Sequence, residues 1–173
     1  GELNISYNAL DRHIKTARKN KIAYIWEGEM GEVKTYTYYQ LYREVNKLAK
    51  VLKDYGLKKG DRVAVFLPVI PELPIILLAT VRLGGVHAVV FSGFSAEALA
   101  DRVNDCGAKF LVTADGSFRR GKPVAIKDNA DRALPNMPNI EKVIVVKRTG
   151  QPVQMKEGKD VWYHDALASA GAN

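Results

Sequence analysis

The stretch RVAVFLPVIPELPIILLATVRLGGVHAVVF, residues 62–91, decides the fold. Residues 63–67 form a short apolar run that is typical of a buried strand, and residues 87–91 form a second one. Between them, residues 71–83 are apolar on nearly every side, which predicts an enclosed helix that ends at Gly84-Gly85. A strand, a helix and a strand in this order indicate a βαβ unit.

The same alternation continues on both sides of this stretch. Before it, apolar residues recur at helical spacing over residues 39–55, behind a capping box formed by Thr37 and Gln40. After it, the pattern predicts a helix capped by Ser95 that ends near residue 105, a strand over 110–113, a helix over 123–134 and a strand over 142–146. Apolar strands separated by helices predict an α/β fold, a doubly wound, mostly parallel sheet with helices on both faces.

Length and composition are those of one globular core. The chain has 173 residues, of which 47% are apolar and 26% are charged. We expect residues 1–36 to form a peripheral helix and strands, residues 37–150 the βαβ core and residues 151–173 a truncated edge. Because the chain begins with Gly1 rather than Met and ends without a closing signal, we expect it to be an incomplete portion of a larger domain, with the remainder of that domain as its partner.

Charge and cysteine content exclude several classes of function. The 26 Lys and Arg exceed the 19 Asp and Glu by 7, but the sequence has no groove-reading motif, so we expect no nucleic-acid partner. It has no run of about eighteen apolar residues and no charged-then-apolar N-terminus, so we expect no membrane partner and a cytoplasmic location. The single Cys106 excludes an internal disulfide and a cysteine-based metal site.

The loop ADGSFRRGKP, residues 114–123, is the strongest candidate binding site. It crowds Arg119, Arg120 and Lys122 between a predicted strand and a predicted helix that begins at Pro123, a residue suited to the first helical position. Because the first turn of a helix has free backbone N–H groups, this arrangement predicts a phosphate site. A solvated basic loop accounts for these residues equally well.

A second candidate lies at the end of the strand over 87–91. There Gly93 could let the backbone approach a ligand and Phe91 or Phe94 could stack on a base, although plain capping of the next helix by Ser95 also explains the sequence. His87 lies in an apolar run, which predicts a core histidine. Since the sequence contains no complete catalytic constellation and no metal-ligand spacing, we assign no catalytic residue and no metal ligand.

Five segments in a fixed order carry a family resemblance: NISYNALDRH (4–13), GDRVAV (60–65), PVIPELP (68–74), VVFSGFSAEAL (89–99) and VIVVKRTG (143–150). Together they resemble the acetyl-coenzyme A synthetases, AMP-forming members of the adenylate-forming superfamily. The resemblance covers nearly the whole chain and implies an inner part of the large N-terminal domain. It implies an acetate–CoA ligase that converts acetate and ATP to acetyl-AMP and transfers the acetyl group to coenzyme A.

The resemblance also implies roles for particular residues. It assigns Phe91, Ser92 and Gly93 to the adenine of coenzyme A, and residues 119–122 to its 3′-phosphate, with contacts from Arg119, Arg120, Gly121 and Lys122. Ser92 stands where the family often has a second glycine. The ATP site, the Mg²⁺ ligands and the catalytic lysine would lie outside this chain, so we expect the chain alone to be inactive. A non-catalytic, doubly wound nucleotide-binding module is the alternative.

Overall fold

The computed structural model describes residues 2–170. Gly1 and residues 171–173, which are the ends of two of the predicted segments, lie outside the described residues. The elements follow one another as a π-helical turn (Tyr7–Asp11), α1 (Arg12–Ile14), a 3₁₀ turn (Ala17–Asn20), β1 (Ile22–Glu27), β2 (Val33–Thr37), α2 (Tyr38–Asp54), β3 (Arg62–Phe66), α3 (Glu72–Arg82), β4 (Val86–Val89), α4 (Ala96–Cys106), β5 (Phe110–Ala114), β6 (Gly116–Arg119), β7 (Lys122–Ala125), α5 (Lys127–Ala133), a 3₁₀ turn (Leu134–Asn136), β8 (Lys142–Val146), β9 (Asp160–Trp162) and α6 (Tyr163–Ala170).

The centre of the molecule is a five-stranded sheet in the order β4-β3-β5-β8-β9, and every neighbouring pair is parallel. Successive side chains along a strand point alternately into two hydrophobic cores, one on each face of the sheet. Val63 and Val65 of β3 face a cluster that includes side chains of α2, α3 and α6, whereas Ala64 and Phe66 face a cluster with α4 and α5. Helices therefore cover both faces, and the predicted doubly wound α/β fold is confirmed.

Local sequence features determine where the first long helix, α2, begins and which face it buries. Thr37 Oγ1 accepts the Gln40 N–H at 3.2 Å and Gln40 Oε1 accepts the Thr37 N–H at 2.9 Å, which is the predicted capping box. Val45, Leu48 and Leu52 are buried along one face of this helix. The apolar stripe thus directs α2 onto the sheet.

The segment after β5 differs from the prediction. No helix begins at Pro123: β6 and β7 form an antiparallel hairpin in which Phe118 pairs with Pro123, and α5 begins only at Lys127. The two-residue loop Arg120-Gly121 has φ angles of 52° and 70°, as a type I′ turn requires. Because hydrogen-bonded pairs alternate with non-bonded ones and Arg119 pairs with Lys122 beside the turn, Pro123 falls on a non-bonded pair, where its missing N–H costs nothing.

Lys127 links α5 to the edge of the sheet. Its side chain is fully buried, and its Nζ lies 2.6 Å from Asp131 Oδ1 and 2.8 Å from Oδ2 of Asp160, whose side chain is also fully buried. The Nζ also donates to the Gln154 carbonyl at 3.2 Å. A buried ammonium group needs such partners, since an unpaired charge in the core is strongly destabilising.

The opposite edge of the sheet is β4. Val86 and Val89 are 53% and 55% exposed there. His87 is half-buried on this edge strand, so the expectation of a core histidine was wrong. Among residues 2–170, no helix has both the length and the apolar character to cross a bilayer.

Candidate functional site

The loops at the carboxyl ends of the parallel strands lie along one edge of the sheet, where open α/β folds bind their ligands. β4 and β5 are separated by one strand, so their ends lie about 10 Å apart at ordinary strand spacing. The loop after β4 carries Phe91, Ser92 and Gly93, and the hairpin after β5 carries residues 119–122. Within residues 2–170 no hydrogen bond joins these two groups directly.

The tip of the β6–β7 hairpin presents three cations to solvent. Arg119, Arg120 and Lys122 are all exposed, and none of them takes part in an ion pair within the described residues. The Gly121 N–H donates to Glu29 Oε1 at 2.8 Å. The cations predicted from the sequence are therefore together, but on a tight turn and not at a helix N-terminus.

The root of the hairpin is held by Asp115, whose role the sequence did not reveal. Its buried carboxylate accepts backbone N–H groups from Gly116, Arg148, Thr149 and Gly150 at 2.7 to 2.9 Å. A Cβ on Gly116 would lie 2.9 Å from the Val124 carbonyl oxygen, a backbone atom, so a larger residue would displace β7. Asp115 is thus saturated by backbone donors and joins the hairpin to the turn after β8.

Arg148 is the second residue that sequence reasoning missed. Its guanidinium carbon lies 5.1 Å from the ring centre of Trp26 and 5.0 Å from that of Phe118, and its Nη2 lies 2.6 Å from Glu32 Oε1. The hydrogen bond from Arg148 lowers the pKa of Glu32 below its ordinary value. Trp26 and Glu32 lie about 120 positions from Arg148 in the sequence, and Phe118 lies about 30 positions from it. Only the place of Arg148 in the VIVVKRTG segment could therefore have drawn attention to it.

A cleft of about 210 Å³ lies beside this stack, lined by the loop after β3, by Trp26 and by Phe118 and Arg148. Trp26 Nε1–H donates to the Val69 carbonyl at 2.8 Å and holds that loop in place. The loops after β3 and β5 therefore meet at this cleft through residues 68–70 and 117–118. The loop after β4 does not line this cleft.

The loop after β4 offers an exposed aromatic ring. Phe91 is 66% exposed and meets Phe94 edge to face at 5.7 Å between ring centres. Phe94 is fixed in turn by Arg102, 4.3 Å from its ring centre, and by Asn129, whose amide donates to the Phe94 carbonyl at 2.6 Å. A Cβ on Gly93 would lie 2.5 Å from the Phe91 ring, so glycine lets this ring fold over the backbone.

The loop after β4 leads into α4 through a capping serine. Ser95 Oγ accepts the Ala98 N–H at 3.2 Å, which confirms Ser95 as the N-cap of α4. Ser92 is half-buried. Among residues 2–170 no cluster of three His, Cys, Asp or Glu side chains could hold a metal ion.

The sequence of the chain is similar to known proteins of one family. The family model described as AMP-binding enzyme matches residues 10–170. The acetyl-coenzyme A synthetase of Methanothrix thermoacetophila is 58% identical over 168 residues, which cover 96% of this chain and 26% of that protein. The enzymes of the same name from Methanothrix soehngenii and Rubrobacter xylanophilus are 56% and 54% identical, over 96% and 98% of this chain and 25% and 27% of their own lengths.

The chain therefore spans about a quarter of the length of the curated relatives that it matches. The resemblance drawn from the five sequence segments is confirmed. By the match of the family model to residues 10–170, the chain belongs to the AMP-binding enzyme family.

Proposed function

We propose that this chain is part of an AMP-forming acetate–CoA ligase. The observation that carries the proposal is its identity of more than half, over nearly its whole length, with proteins named acetyl-coenzyme A synthetase. In this reaction an acetate oxygen attacks the α-phosphorus of ATP and pyrophosphate leaves. The coenzyme A thiol, as it loses its proton, then attacks the acetyl carbonyl, and AMP leaves. The parent protein would act in the cytoplasm with Mg²⁺ held by residues outside this chain.

Within that reaction, we assign to this chain the nucleotide end of coenzyme A. Arg119, Arg120 and Lys122 would bind the 3′-phosphate, because guanidinium and ammonium groups form strong charge-assisted bonds with phosphate oxygens. Their exposure and their lack of an ion-pair partner in residues 2–170 support this assignment. The Gly121 N–H would join them once the phosphate displaces the Glu29 carboxylate from it.

The adenine would lie on the loop after β4. The exposed Phe91 ring offers a stacking face, and the absence of a Cβ at Gly93 lets this ring lie over the backbone there. Ser92 would contact the base edge through its hydroxyl or backbone.

The test uses Arg119→Ala and Lys122→Ala in a full-length parent enzyme. Each lost contact should cost roughly 1.5–3 kcal/mol, so the KM for coenzyme A should rise about 10-fold to 150-fold. Acetate-dependent exchange of pyrophosphate into ATP should be unchanged, because the 3′-phosphate does not take part in the first half-reaction.

Two controls make this test specific. Dephospho-coenzyme A lacks the 3′-phosphate, so its KM should be nearly the same for the variants and the parent enzyme. Lys50→Ala removes an exposed cation that pairs with Asp54 on α2 and should change nothing. If the two alanine variants prefer coenzyme A over its dephospho form as strongly as the parent does, the hairpin tip is only a solvated basic surface.

A further inference from the structure

The β6–β7 hairpin needs support from outside itself. It forms a separate two-stranded sheet that adds no strand to the central one, and all four residues of β7 are exposed. An isolated two-stranded hairpin is marginally stable in water. Asp115 fixes its root and Glu29 accepts the Gly121 N–H at its tip, so contacts along β6 between these two points also set the direction of the hairpin.

Arg148 supplies such a contact. Its backbone N–H donates to Asp115 Oδ1 at 2.7 Å, and its guanidinium carbon lies about 5 Å from the ring centres of both Trp26 on β1 and Phe118 on β6. Glu32, at the end of the β1–β2 turn, pairs with the charge at 2.6 Å. One side chain thus joins the β1–β2 hairpin, the turn after β8 and the β6–β7 hairpin.

We propose that Arg148 is a positioning residue that fixes the direction of the β6–β7 hairpin and thereby the affinity for the phosphorylated end of coenzyme A. The proposal rests on the function proposed above. Arg148 is not a phosphate ligand itself, because its side chain is only 18% exposed, aromatic rings lie near it from two elements and Glu32 pairs with its charge. Its contact with Phe118 also remains available after Glu29 releases Gly121.

The chemistry favours arginine over lysine at this position. A planar guanidinium can stack on two aromatic faces and still donate hydrogen bonds in its plane to a carboxylate. A lysine would keep the positive charge and lose the stacking. Arg148→Lys therefore separates the geometric role of the residue from its charge.

The experiment compares Arg148→Ala, Arg148→Lys and Phe118→Leu in the full-length parent. Loss of two cation–π contacts should raise the KM for coenzyme A about fivefold to thirtyfold, and Arg148→Lys should recover only a small part of this. The KM values for ATP and acetate and the pyrophosphate exchange rate should not change. Amide hydrogen exchange at Ser117 and Val124, a hydrogen-bonded pair of the hairpin, should become faster, which reports the position of the hairpin independently of activity.

Arg119→Ala, measured in parallel, separates this proposal from the one on which it rests. If Arg119→Ala raises the KM for coenzyme A and the Arg148 and Phe118 variants do not, Arg148 has no positioning role and the proposed function stands. If none of the variants raises it, the coenzyme A site is elsewhere and both proposals fail. Equal losses in both half-reactions, or unchanged hydrogen exchange at Ser117 and Val124, would also overturn the positioning role.

Discussion

Asp61 shows how single side chains set the alignment of the sheet. It precedes β3, is 8% exposed, and its Oδ2 accepts the Lys58 N–H at 2.9 Å. Its Oδ1 lies 3.0 Å from Nζ of Lys109, which precedes β5. The hydrogen bond from Lys109, assisted by the Lys58 N–H, lowers the pKa of Asp61 below its ordinary value. The ion pair therefore joins the amino ends of two neighbouring strands.

The lowered pKa of Asp61 predicts a pH dependence of folding. Because the folded form binds the proton more weakly than the unfolded form, the ion pair stabilises the fold above the ordinary Asp pKa of about 4. This contribution is lost as the pH falls through the lower pKa of the folded state. The difference in free energy of unfolding between the parent sequence and Asp61→Asn should be constant above about pH 5 and should decrease as the pH falls through the lower pKa of the folded state.

Urea unfolding at a series of pH values measures this difference. Lys50→Ala, which removes an exposed pair on one helix, is the matched control and should show little pH dependence. A difference between the parent sequence and Asp61→Asn that grows on acidification would have the wrong sign for a lowered carboxyl pKa.

The residues of the candidate site differ in how far the sequence could predict them. Arg119, Arg120 and Lys122 are adjacent in the chain, so their common location follows from the sequence alone. Asp115 and Arg148 could not be found in this way, because their partners come from distant segments that meet only in the folded chain. Long-range partners of single polar residues leave no periodic signal.

At the scale of elements, capping chemistry is the most local and the most predictable feature. Both hydrogen bonds of the Thr37–Gln40 capping box are present at the start of α2. Thr37→Ala should lower the free energy of unfolding by about 1 kcal/mol, because the Gln40 N–H loses its acceptor. Thr37→Ser keeps the hydroxyl and should cost much less. Chemical denaturation measures both, and equal losses in the two variants would mean that the methyl group of Thr37 matters and not the cap.

The hairpin β6–β7 shows where local signals fail. Pro123 suits a helix start as well as a strand position that donates no hydrogen bond, and the sequence alone does not decide between them. The turn has Arg120 in place of the usual Asn or Asp before Gly121, so the ordinary hairpin signal is absent. Strands β3, β5 and β8 were predictable because they are continuous apolar runs, buried on both faces of the sheet.

At the scale of the whole molecule, the described residues leave one edge of the sheet uncovered. Val86 and Val89 are more than half exposed on β4, and Phe91 and Val69 are exposed at the carboxyl end of the sheet. An open edge strand with apolar side chains favours pairing with other chains. The division into residues 1–36, 37–150 and 151–173 stays a prediction at this scale.

This edge predicts that the isolated 173-residue chain self-associates. Val86→Lys should shift it toward the monomer, because a charged side chain on an edge strand opposes pairing. Met30→Lys, at a position in the β1–β2 turn that is 54% exposed, should not. Sedimentation velocity at several protein concentrations distinguishes these outcomes. A parent chain that is monomeric throughout would show that the β4 edge does not drive association.

The enclosure of Lys127 has a consequence for chemical modification. Acyl donors react with a free amine, and the Lys127 amine lies between two carboxylates, shut off from solvent. Every other lysine in residues 2–170 is at least partly exposed. If the parent protein makes acyl-adenylates and thioesters, as proposed, these products would be able to acylate its surface lysines, whereas Lys127 is protected. Acylation of Lys127 would therefore show that α5 and β9 had separated in that molecule, since only then would the amine be accessible.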